Sequence, residues 1–81
     1  MERIEIIEKL TLIFKEIFKQ NDLRLKEEMT ANDVDGWDSL THMLLISEVE
    51  NAFGSKFKLK DLNKMKNVGD MIKIIETRLA E

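Results

Sequence analysis

The stretch Val34-Asp35-Gly36-Trp37-Asp38-Ser39-Leu40-Thr41-His42-Met43 decides the fold. A turn signal, a helix start and a nucleophilic hydroxyl coincide there and nowhere else. Gly36 is the sole glycine in the first half of the chain, and Trp37 is the sole tryptophan. Asp38 is a good N-cap, because its carboxylate can accept hydrogen bonds from the free backbone N–H groups that open a helix. Ser39 then falls in the first turn, with its side chain directed outward. Leu40, Met43, Leu44, Ile46, Val49 and Phe53 follow at helical spacing. They predict a helix over 39–53, which Gly54 ends by taking the left-handed conformation cheaply. A group carried on Ser39 would project from the mouth of a helix anchored by that stripe.

Upstream, residues 21–38 read as a long connection pinned by Leu23, Leu25, Met29 and Val34, with Glu27-Glu28-Met29-Thr30 as a candidate helical turn. Residues 3–20 predict an amphipathic helix whose stripe is Ile4, Ile7, Leu10, Phe14, Ile17 and Phe18. Ile6, Leu12 and Ile13 widen that face, so the helix should touch more than one neighbour. Downstream, Phe57 and Leu59 alternate with Lys56, Lys58 and Lys60. A lone short strand has nothing to pair with, so this piece is expected as extended loop with both apolar residues inward. Asp61 to Met65 suggests a single helical turn. Asn67-Val68-Gly69-Asp70 resembles a capping box opening a last helix to about Leu79, with Val68, Met71, Ile72, Ile75 and Leu79 on its apolar side. The expected architecture is a single all-α domain over 1–81, a small four-helix bundle with three main helices and one short third helix.

Composition excludes several function classes. At 81 residues, such a domain buries only ~60–65% of its unfolded surface, so its stability margin is small. The absence of cysteine removes disulfides, a thiolate nucleophile and thiolate metal sites. One histidine makes a protein-built catalytic zinc site a poor fit. No apolar run approaches the ~20 residues needed to span a bilayer, and Met1-Glu2-Arg3-Ile4-Glu5 lacks a signal-peptide pattern. A soluble, cytoplasmic monomer is the expectation. The formal charge of −3 hides a strong pattern: residues 27–50 hold seven acidic side chains and no Lys or Arg. That segment repels nucleic acid and attracts a basic partner surface. Lys56, Lys58, Lys60, Lys64 and Lys66 form the basic cluster, with aromatic interleaving limited to Phe57, which reads as a solvated face.

Catalysis finds little support. Ser39 and His42 lie one turn apart, and Asp38 or Asp35 could orient the imidazole, but both side chains are expected to point outward with no pocket behind them and no oxyanion site. The acidic run from Asp33 also fails as a calcium loop. An EF-hand wants glycine sixth and glutamate twelfth, whereas here glycine comes fourth and Leu44 is twelfth. Weak, adventitious binding of divalent ions to these carboxylates stays open. Two readings of Ser39 then remain. It is simply a helix-start residue, or it is an exposed hydroxyl that carries a covalently attached anionic group, which a helix N-terminus tolerates.

Asp38-Ser39-Leu40 with its surroundings resembles the acyl carrier protein family, the phosphopantetheine-binding carriers. The resemblance extends to Val49-Glu50-Asn51-Ala52-Phe53-Gly54 at the close of the second helix, to Leu59–Met65 as the short third helix, and to Asn67-Val68-Gly69-Asp70 at the start of the last. It implies a non-catalytic carrier in which a phosphopantetheinyl transferase attaches 4′-phosphopantetheine from coenzyme A to Ser39. The arm's thiol then holds acyl or aminoacyl groups as thioesters for loading and transferring enzymes. It also implies that Asp35, Asp38, Glu48 and Glu50 face basic partners and that Leu40, Met43 and Leu44 border the arm's base. On the same resemblance Thr41 belongs with the partner-recognition residues, as does His42 unless it is simply an exposed polar helix residue. Acyl chains would enter near Leu45, Ile46 and Ile72. Thr41 and Leu44 stand where fatty-acid carriers usually place acids, so the pattern looks more like carriers of specialised pathways. The rival reading is an unmodified helical interaction module.

Overall fold

A computed structural model describes residues 2–80 as four helices. They are α1 (Arg3–Phe18), α2 (Ser39–Phe53), α3 (Leu59–Asn63) and α4 (Val68–Ala80). No strand occurs among the described residues, so the architecture is the expected small helical bundle. The core forms where α1 packs against both α2 and α4. Its fully buried side chains include Ile6, Leu10, Phe14, Leu45, Val49 and Ile75.

The register of α1 differs from the expected stripe. Ile6 is completely buried, while Ile4 and Leu12 are 62% and 66% exposed. The three-residue repeat Ile4, Ile7, Leu10 drifts around a 3.6-residue helix, whereas Ile6, Leu10 and Phe14 step by four along one face. The helix also stops short of residue 20. Lys19 takes a left-handed conformation (φ 54°), and its N–H and that of Gln20 both donate to the Lys15 carbonyl. A lysine here uses the geometry usually given to glycine, closing the last turn with the 5→1 bond of the αL motif and a 6→1 bond to the same carbonyl.

Residues 19–38 cross the bundle without a helical turn. At 27–30 the chain makes only a tight turn, in which the Met29 N–H donates to the Lys26 carbonyl. Val34 is buried as a pin, and Leu23, Leu25 and Met29 are half-buried against the core. The middle of this loop is held by α4, whose first N–H groups have no partner inside their own helix. Val68 N–H donates to the Met29 carbonyl (2.9 Å) and Gly69 N–H to the Glu27 carbonyl (2.8 Å). Gly69 suits that close approach, since a Cβ there would lie a tight 3.1 Å from the Glu27 carbonyl oxygen.

The helix α2 begins at Ser39 and ends at Gly54 (φ +64°), as expected. Its buried residues are Leu45, Ile46, Val49 and Phe53; Leu40, Met43 and Leu44 face outward at 84%, 60% and 52% exposure. The apolar stripe therefore starts at Leu45. The third helix starts at Leu59, as the resemblance implies and two residues before the turn suggested by Asp61 to Met65, and Leu59 is 76% exposed instead of tucked inward. Asp61 turns inward and forms a two-pronged ion pair with Arg78 of α4, at 2.9 and 3.0 Å, fastening α3 to the bundle. At the start of α4 the Asn67 side chain accepts from the Asp70 N–H (2.7 Å). The reciprocal bond reaches one residue further back, with the Lys66 N–H donating to Asp70 (3.2 Å).

Candidate functional site

The approach to Ser39 is set by a tight turn. The Trp37 N–H donates to the Val34 carbonyl, and Gly36 sits at φ +88° while Asp35 keeps the ordinary sign. That combination is a type II turn, which wants glycine at its third position. It drives Trp37 into the core, where it is 8% exposed and meets Phe14 edge-on (centroids 5.2 Å, 87°). The turn then delivers Asp38 as cap. Asp38 Oδ1 accepts from the Thr41 N–H (2.9 Å), and the Thr41 hydroxyl accepts from the Asp38 N–H (2.7 Å). The same hydroxyl donates to the Gly36 carbonyl (2.6 Å), binding turn and helix together. The Thr41 N–H holds the Asp38 carboxyl below its ordinary value.

Ser39, the first residue of α2, is exposed. Beside it lies an open groove of about 340 Å³ lined by Ala31, Trp37, Asp38, Ser39, His42, Met65 and Lys66. The expectation of no pocket behind Ser39 and His42 is thus corrected. The groove arises because the α3–α4 connection passes in front of the α2 mouth. His42 does not point freely into solvent. It is half-buried, stacks on Trp37 (centroids 6.0 Å, 19°) and accepts the indole N–H on Nδ1 at 3.0 Å. Burial pushes its imidazole below the ordinary value.

The other expected site residues divide into two groups. Leu40, Met43, Leu44, Glu48 and Asp35 are exposed around the site. Thr41 is half-buried in the cap, and Glu50 is half-buried with Oε2 accepting from the Phe57 N–H (2.8 Å), which ties down the chain after α2. Trp37, Met65 and Lys66 were not singled out from the sequence as site residues. A sole tryptophan two residues before the serine was the available signal for the first. Met65 and Lys66 arrive by tertiary packing and left none. Among the described residues, no three His, Asp or Glu side chains converge as a metal-ligand set.

Fold and site together define a small helical scaffold offering one hydroxyl at a helix mouth. No protein-family model matches the chain. It is 35% identical over 78 residues to the acyl carrier protein of Thermotoga maritima, spanning 96% of each sequence. It also matches the solution NMR structure of the holo acyl carrier protein from Geobacter metallireducens, with a TM-score of 0.85 and 43% identity over 91% of this chain and 85% of that one. The chain belongs to the acyl carrier protein family. It is a non-catalytic carrier of acyl or aminoacyl intermediates, working through a covalently attached 4′-phosphopantetheine arm. Membership also implies dealings with a phosphopantetheinyl transferase and with loading and transferring enzymes. No described helix is long and apolar enough to cross a membrane.

Proposed function

We propose that Ser39 is the residue that carries the arm, within a single carrier domain over residues 1–81 that works as a cytoplasmic monomer. The observation that carries this reading is the exposed first-turn position of Ser39 directly after the Asp38–Thr41 cap. An oxygen held there is reachable by a transferase, and the helix mouth favours the negative phosphodiester that results. In the transfer, the Ser39 oxygen attacks the pantetheine-side phosphorus of coenzyme A, the adenosine bisphosphate leaves, and the serine proton passes to the transferase. Asp38 and Thr41 act by fixing the helix start, so that the oxygen is presented in one orientation.

Docking of partner enzymes falls to the surface around that oxygen. Leu40, Met43 and Leu44 supply an exposed apolar strip, and Asp35 and Glu48 flank it with negative charge. A basic enzyme surface with an apolar centre fits both features. Intact-mass measurement after incubation with coenzyme A and a broad-specificity transferase tests the assignment. The wild type gains ~340 Da, the mass of one arm, and Ser39→Ala gains nothing. A protein whose mass never changes with an active transferase, or an alanine variant still modified, defeats it.

A further inference from the structure

The groove beside Ser39 holds two features that presentation of a hydroxyl does not need. The first is a chemically defined imidazole. An indole N–H can only donate, so His42 Nδ1 must hold a lone pair towards Trp37. The neutral ring then carries its proton on Nε2. Among the described residues Nε2 has no hydrogen-bond partner, and no side-chain nitrogen or oxygen is buried without one. The Nε2–H edge is therefore open, on a residue that lines the groove. The second feature is Lys66, which lines the same groove and has no carboxylate within ion-pair distance among the described residues.

We propose that His42 Nε2–H and the Lys66 ammonium form a clamp for the phosphodiester carried by Ser39, drawing the base of the arm into this groove. Trp37 is a positioning residue, since its N–H sets which imidazole nitrogen bears the proton. Asp38 also faces the groove, but its carboxylate is engaged by the Thr41 N–H and works against an anion less than a free carboxylate would. The inference rests on Ser39 being the attachment point, and its test separates the two.

The test is ³¹P NMR of the arm-bearing protein titrated between about pH 8 and pH 5. A phosphodiester does not itself titrate there, and His42 is the sole histidine of the chain. The wild type should show a phosphorus resonance that inflects at the His42 midpoint, and that midpoint should lie higher with the arm than without it. His42→Asn keeps an acceptor for the Trp37 N–H and removes the Nε2 donor, so the inflection should vanish. Lys66→Gln should displace the phosphorus resonance at the alkaline end, where His42 is neutral. Circular dichroism confirms that both variants fold. A protein that gains the arm's mass yet shows no inflection, or an unchanged one in His42→Asn, overturns the clamp and leaves Ser39 as the carrier residue. No mass gain overturns both.

Discussion

Replacing Trp37 by Phe isolates the polar link between the approach turn and α2. Phenylalanine keeps a ring against Phe14 but deletes the N–H that His42 Nδ1 accepts. The lost hydrogen bond contributes ~1 kcal/mol net. The smaller ring gives up roughly 40 Å² of buried apolar surface, which at ~25 cal/mol/Å² is about 1 kcal/mol more. A domain of this size has only ~4–12 kcal/mol of stability in total. A loss of ~2 kcal/mol should therefore lower the thermal midpoint by ~8–16 °C. Thermal and urea melts followed by far-UV circular dichroism read the midpoint shift and the free-energy loss, since the variant has no tryptophan to fluoresce. A double-mutant cycle with His42→Ala separates the bond from the packing, and its coupling energy should be ~1 kcal/mol above neutral pH. The coupling has a signed pH dependence. Burial lowers the folded-state value of His42, so folding favours the neutral ring. This contribution is complete above the ordinary imidazole pKa and is lost as pH falls through the lower folded value. A coupling under ~0.3 kcal/mol, or one that is the same at about pH 8 and pH 5, would refute the reasoning.

Three further outcomes follow from other parts of the bundle. Ile6→Ala should cost ~2–5 kcal/mol in urea melts, while Ile4→Ala two residues away should stay within ~0.5 kcal/mol; equal costs would contradict the observed face of α1. Gly54→Ala should cost about 1 kcal/mol by forcing a Cβ into left-handed backbone, even though nothing crowds the site, and Gly54→Asn should cost less. The Arg78 guanidinium, assisted by the Lys58 N–H, holds the Asp61 carboxyl below its ordinary value. Its stabilisation is present above the unfolded carboxyl pKa and lost as pH falls through the lower folded one, so Asp61→Asn should lose stability at neutral pH and flatten the acid limb of the urea midpoint.

Much of this molecule could be read before the fold was known, and the exceptions share a cause. The two ends of α2 were legible because a cap and a C-terminal glycine act locally, through bonds among neighbours in sequence. The stripe of α4 was legible because Val68, Met71, Ile72 and Ile75 are apolar on one side only. In α1, apolar residues occupy most of the circumference, so periodicity permits several faces and only packing chooses Ile6 over Ile4. Leu40, Met43 and Leu44 misled for the opposite reason. They sit at helical spacing without being core, as a docking strip would. The helix-start position of Ser39 was legible through its cap, whereas the groove beside it depends on where the chain passes between α3 and α4. No short-range pattern encodes that passage, and the inward turn of His42 onto Trp37 was equally hidden.

The two bonds from the start of α4 to Met29 and Glu27 join segments far apart in sequence. Their closure entropy is met only once these two internal segments have come together. The long crossing segment is thus latched by a helix that the ribosome makes after it. A nascent chain that has already made Ser39 still lacks the latch that steadies the path leading to it. Order in the path that leads to α2 is therefore a property of a chain that already includes α4.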